Sequence, residues 1–172
     1  PWTLFKAASS SPAALLATVR GRLDRRAGTD KMASDEEAAL SSLADLAQTA
    51  VDEGPTEKFN VLLARLKDLG VAKGKKGRAV IFSERVDTLE WLKEQFLATG
   101  RKEDEIVVFH NGRGEQERQE RVKEFGLADS KVRLFITGDM ASEGVNLHKE
   151  CHVLFHWDLP WSLIRIAQRN GR

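Results

Sequence analysis

Cysteine, charge of a prevailing sign and long apolar runs are all scarce in this chain of 172 residues. Cys151 is the sole cysteine, which excludes an intramolecular disulfide and fits a reducing, cytoplasmic setting. Lys and Arg number 27 against 26 Asp and Glu, a formal net charge of +1, so any surface for a polyanion has to be local. No run of about eighteen apolar residues occurs, and no membrane span is expected. Internal repeats are absent. A phosphate-cradling loop is missing as well: in the stretch Gly70-Val-Ala-Lys-Gly74-Lys-Lys the glycines are too close together, and no Ser or Thr follows the lysines to hold magnesium. No acidic magnesium-binding box is found. His148, His152 and His156 with Cys151 hint at zinc, but His152 and His156 in an extended run would stand about 13 Å apart, so no metal site is expected. The opening Pro1-Trp2 lacks an initiator Met, and the segment through Leu16 has no basic leader, which suggests a cropped start and no signal peptide.

Enough apolar residues are present, 41%, to build a core. The first third reads as helical. Ser11-Pro12 is a cap and first-turn pair, followed by Leu15, Leu16, Val19 and Leu23 at helical spacing. Arg20, Arg22, Arg25 and Arg26 at its end read as a solvated face that complements the helix dipole. Ser34 with Glu37 begins a second helix, whose apolar positions are Leu40, Leu43, Ala47, Ala50 and Val51, and Gly54-Pro55 ends it. Thr56 caps a third, with Phe59, Leu62, Leu63, Leu66 and Leu69 on one face and Gly70 at its close. A basic loop, Lys73 to Arg78, comes next and reads as a flexible solvated connection.

From Ala79 the pattern alternates. Ala79 to Phe82 is a short, continuously apolar run of the kind that a parallel strand buried on both faces shows, and Glu105 to Phe109, Val132 to Ile136 and His152 to Trp157 read as three further strands. Helix-like segments lie between them, with Val86, Leu89, Leu92 and Phe96 in one, and Val122 and Phe125 in the densely charged stretch from Gly114. The expectation is an α/β fold: a parallel sheet flanked by helices, preceded by a helical appendage, with the boundary near residue 77. Functional groups in such a sheet gather at the carboxyl ends of its strands. Those ends are Ser83-Glu84-Arg85, His110 to Arg113, Thr137 to Asp139 and Trp157-Asp158, so one polar rim is predicted.

The last forty-odd residues are the hardest to explain by packing. Ser142-Glu-Gly144-Val-Asn146 places a glycine where the backbone needs freedom or close approach. Asp158-Leu-Pro160-Trp161 ends a strand and starts a helix at the proline, and Gln168-Arg169-Asn-Gly-Arg172 then sets Gln168 and Arg172 on one helical face. Taken in order, these three stretches resemble motifs V and VI of the C-terminal motor lobe of superfamily 2 helicases and translocases, and most resemble Swi/Snf-type and bacterial RNA-polymerase-associated ATPases.

That resemblance implies a RecA-like lobe over residues 77–172, cut at motif VI, with residues 1–76 as appendage. It implies catalytic roles for Arg172, Arg169 and Gln168, the planar guanidinium of Arg172 reaching toward a triphosphate held by another lobe. Gly144 and Asn146 would lie near the nucleotide. Ser83, Arg85, His110, Asn111, Gly112, Gly138 and Asp139 would contact a nucleic-acid backbone, DNA ahead of RNA, in contacts indifferent to base sequence. Relatives often carry Thr directly before that Asp, where this chain has Gly138 with Thr137 one place earlier. ATP and Mg2+ would be bound mainly by the absent first lobe, the principal partner besides nucleic acid, and the fragment alone would be inactive. Two duller readings compete: a noncatalytic lobe that only binds a partner, and a nucleotide-sugar transferase half, against which the Gln168 to Arg172 ending speaks.

Overall fold

The computed structural model describes residues 2–26, 34–110, 115–138, 151–160 and 162–170. It divides into two compact units, Pro1–Pro55 and Thr56–Arg172. No described helix is long and apolar enough to cross a membrane.

The first unit contains three helices: α1 (Trp2–Ser10), α2 (Pro12–Arg26) and α3 (Ser34–Asp52). α1 lies before Ser11-Pro12, the first helix start read from the sequence. Ser11 separates it from α2, and its hydroxyl accepts from the Ala14 amide at 3.1 Å, the capping bond anticipated for the Ser-Pro pair. α2 packs along α3. Small side chains are prominent in the contact, with Ala7, Ala14 and Ala47 buried beside Leu16, Val19 and Leu40. At the surface the Arg20 guanidinium donates to Gln48 Oε1 at 2.9 Å.

The second unit opens with α4 (Glu57–Asp68), capped as expected by Thr56, whose hydroxyl accepts from the Phe59 amide. Thus α4, grouped with the appendage from sequence, falls in the unit that holds the sheet. Strands β1 (Ala79–Phe82), β2 (Ile106–Phe109), β3 (Leu134–Thr137) and β4 (Val153–His156) form one parallel sheet in the order β2-β3-β1-β4. Helices α5 (Val86–Ala98), α6 (Glu115–Phe125) and α7 (Leu163–Asn170) complete it, with a short 3-10 turn at Glu103–Glu105.

Register sorts the side chains into two layers. Val80, Phe82, Val107, Phe109 and Phe135 share one face and pack with Phe125, Val132, Cys151 and, at the edge, Val122 of α6. Alternation sends Ala79, Ile81, Ile106, Val108, Leu134 and Ile136 to the other face. α5 packs against β2 and β3, and an aromatic cluster joins α4 to α5: Phe59 meets Trp91 and Phe96 edge-on, at 5.9 and 5.0 Å between ring centroids, and Trp91 lies 6.0 Å from Trp157. Each such fully buried aromatic contributes roughly 1.5–3 kcal/mol through the apolar surface it removes from water.

The basic loop before β1 is pinched at its base. Gly70 has φ +74°, and a Cβ on Gly77 would stand 2.3 Å from the Gly70 carbonyl oxygen, so the two chain segments touch where only glycine fits. The Arg101 guanidinium donates to the Val71 carbonyl on the same side. Arg78, read from sequence as the end of a solvated loop, is buried instead. Its guanidinium donates to the carbonyls of Phe125 at 2.6 Å, Leu127 at 2.6 Å and Ala128 at 3.0 Å. One planar fork thus serves the last carbonyl of α6, which a helix end leaves without an intrahelical partner, and two carbonyls of the turn after it, of which Leu127 also accepts from the Ser130 amide.

Replacing Arg78 by Met should therefore lower global stability by about 3 kcal/mol, read as a fall in the urea midpoint at unchanged slope. Cys151 offers a second check. Burial pushes its thiol above the usual range, against smaller opposing effects from backbone hydrogen bonds and Arg78. A neutral buried thiol stabilises the fold below the ordinary thiol pKa, and that contribution is lost as pH rises through the raised value. The native thiol should react with an aromatic disulfide reagent at pH 8 at least about a hundredfold more slowly than in urea.

Candidate functional site

Because all four strands run parallel, their carboxyl ends meet on one side. The ladder continues one residue past the strands: Gly138 N–H donates to Phe109 O at 3.3 Å, Ser83 N–H to Thr137 O at 3.1 Å, and Trp157 N–H to Phe82 O at 2.9 Å. These bonds line up His110, Gly138, Ser83 and Asp158 along the sheet edge as the predicted rim.

Asp158 is the junction of that rim. Its carboxylate accepts from the Ser83 hydroxyl at 2.5 Å, and the ammonium of Lys58 on α4 lies 3.6 Å from its other oxygen. Lys58 also sits 4.2 Å above the Trp157 ring, and burial lowers its pKa while Asp158 opposes the shift. On the main-chain side the Asp158 carbonyl accepts from Arg169 Nη1 at 2.7 Å.

Arg169 is the buried residue of α7, 2% exposed. Its guanidinium lies 5.3 Å from the Phe82 ring centroid and 3.3 Å from His156 Nδ1. Since a guanidinium only donates, His156 Nδ1 accepts; the Nε2–H then donates to Asn170 Oδ1 at 2.9 Å. Further along the helix, Arg165 lies 3.9 Å from Glu84. The first helical bonds close on the Ser162 carbonyl, from Arg165 and Ile166, which is why α7 starts at Leu163 and not at the proline expected from sequence.

Among the residues singled out from sequence, the structure brings Ser83, Arg85, His110, Gly138, Gln168 and Arg169 to this end of the lobe. Ser83 is fully buried with its hydroxyl turned to Asp158, so the side chain braces the rim and is not presented for backbone phosphates. Arg85 is half-buried at the start of α5, where its amide lies 3.4 Å from the Ser83 hydroxyl. His110 Nε2 pairs with Glu90 at 3.2 Å. Gln168 is exposed on α7. Arg169, grouped with Arg172 as catalytic by the resemblance, points inward to main chain and imidazole, a geometry that holds the helix. Asn111, Gly112, Asp139, Gly144, Asn146 and Arg172 lie outside the described residues. Sequence reasoning missed Lys58 altogether, and it placed Asp158 on the rim and at a helix start without giving it a partner.

Residues 57–172 match the helicase conserved C-terminal domain. The chain belongs to that family. The helicase C-terminal domain thus covers the whole second unit, including α4, which carries Lys58. Two solved structures share the fold. One is the C-terminal part of the Fun30 ATPase domain, 17% identical with a TM-score of 0.59, covering 97% of this chain and 61% of that one. The other is the Hef helicase domain of Pyrococcus furiosus, 18% identical with a TM-score of 0.62, covering 95% of this chain and 33% of that one. This chain therefore spans less than two thirds of either. No curated protein matches it.

If Arg169 holds α7 to this helicase lobe, Arg169→Gln should expose the helix to protease. Trypsin is expected to cleave after Arg165 at least about tenfold faster than in the wild type, corresponding to a local loss of about 1.5 kcal/mol or more. Unchanged cleavage would show that α7 is secured by other contacts.

Proposed function

We propose that this chain is the second motor lobe of an ATP-dependent translocase acting on nucleic acid, with DNA the first substrate to test. The observation that carries the reading is the placement of α7. The helix stands against the polar rim, tied to it by Arg169 and Asp158, and leads directly to Gly171-Arg172 with Gln168 exposed. An arginine at that position can stabilise charge spread over a transferred phosphoryl group. Gly144, Asn146 and Gln168 would line the same nucleotide, while the rim residues Arg85, His110, Asn111, Gly112, Gly138 and Asp139 would face the nucleic-acid backbone.

The residues present suit one side of such a site only. They include neither a phosphate-cradling loop nor an acidic box, so ATP and Mg2+ would be held mainly by a first lobe, and these 172 residues alone would not turn ATP over. ATP supplies the phosphoryl group; this lobe supplies the guanidinium and the second grip on the strand. Closing and reopening of the cleft between lobes would convert hydrolysis into movement. The exposed apolar side chains of Leu159, Leu163 and Ile164, at 71%, 80% and 71%, support a face that another part of the protein covers.

The decisive experiment measures DNA- and RNA-stimulated ATP hydrolysis by the two-lobed protein with and without Arg172→Ala. Stimulation by DNA and a fall in turnover of about a thousandfold are expected. Equal turnover in the variant would remove Arg172 from the chemistry, and no stimulation by either nucleic acid would favour a noncatalytic binding lobe.

A further inference from the structure

The junction at Asp158 contains a residue that no motif marks. Lys58 belongs to the first turn of α4, and its ammonium is placed between the Trp157 ring and the Asp158 carboxylate, at 4.2 and 3.6 Å. The same aspartate offers two different acceptors to two different cations. Its carboxylate faces Lys58 and Ser83, and its carbonyl faces Arg169.

We propose that Lys58 is a positioning residue for α7: by occupying the Asp158 carboxylate it keeps that charge away from Arg169, so that the guanidinium stays on the Asp158 carbonyl and His156. The inference rests on the reading of α7 as the helix that leads to the phosphoryl-stabilising Arg172. A carboxylate and a guanidinium attract strongly and prefer a paired fork geometry. Arg169 already lies within bonding distance of the same residue's main chain. With the Lys58 charge removed, the side chain of Asp158, only 16% exposed, gains by swinging toward Arg169. That swing breaks the Ser83 bond and draws Arg169 off His156, which shifts the helix. Aromatic and acidic partners on opposite sides of the ammonium explain why burial of a lysine stem is tolerated here.

The test uses the full two-lobed protein carrying Lys58→Met, which keeps an unbranched stem over Trp157 without charge, and Lys58→Arg as the conservative variant. Hydrogen exchange reports the helix directly. Amides of residues 163–170 should exchange about tenfold faster in Lys58→Met, those of α6 should be unchanged, and Lys58→Arg should restore protection to within about threefold. In nucleic-acid-stimulated hydrolysis Lys58→Met should lower kcat about tenfold while KM for ATP moves less than twofold, again with recovery in Lys58→Arg. Unchanged exchange in α7, exchange raised evenly across the lobe, an unchanged kcat, or a Lys58→Arg variant no better than Lys58→Met would each overturn the proposal. The exchange arm needs no turnover, and Arg172→Ala measured alongside tests the motor reading separately.

Discussion

The bond from the Arg169 guanidinium to the Asp158 carbonyl is the constraint on which the site depends. α7 has eight residues, and a helix so short has no stability of its own in water. Its apolar side chains hold it only weakly, since Leu163 and Ile164 are mostly exposed, Ile166 is half-buried and Arg169 is the buried member among its described residues. The helix therefore exists where it does because one long cationic side chain runs inward past Phe82 and ends on main-chain and imidazole acceptors at the close of β4. Removing that tie changes both the helicity and the position of the segment that leads to Arg172.

Among the described residues, Arg169 is one of three buried arginines that serve the second unit in the same way. Arg78 binds carbonyls after α6, Arg101 binds the Val71 carbonyl, and Arg169 binds the Asp158 carbonyl. Each guanidinium also lies against a phenylalanine: Phe125, Phe96 and Phe82, at 5.8, 5.9 and 5.3 Å. Carbonyl dipoles and aromatic faces together offset the desolvation of a charge that a flexible, strongly hydrated lysine would resist. The consequence is a lobe whose helix ends and turns are fastened by forks of donors at sites where the sequence supplies few apolar residues. Lysine at these positions would keep the charge and lose the geometry.

How much of this was legible follows from the range of each interaction. Strands β1, β2 and β3 were legible because burial on both faces leaves apolar runs, as in Ala79 to Phe82, while β4 is only half-buried and was read from its β-rich run; parallel order then put their polar ends on one rim. The Thr56 cap was equally readable, since its partner is the amide of Phe59, three residues along. By contrast, Arg78 meets α6 across 47 residues, Ser83 meets Asp158 across 75, and the ammonium of Lys58 meets the same carboxylate from another element. No local pattern distinguishes such an arginine from a solvated one, so Arg78 looked like loop charge and Arg169 was grouped with Arg172 as catalytic. The strand order β2-β3-β1-β4 was likewise invisible, because alternation reveals that strands pair and not which strands pair.

On the proposed motor reading, the two motif arginines would divide their labour through helix geometry. Residues three apart on a helix project from neighbouring but distinct directions. A regular helix directs side chains three positions apart about 60° away from each other around its axis. On that proposal Arg169 would hold the platform from which Arg172 acts: a guanidinium that reaches outward is useful only if the helix beneath it does not move, and α7 is held by an interaction with the very turn that ends β4.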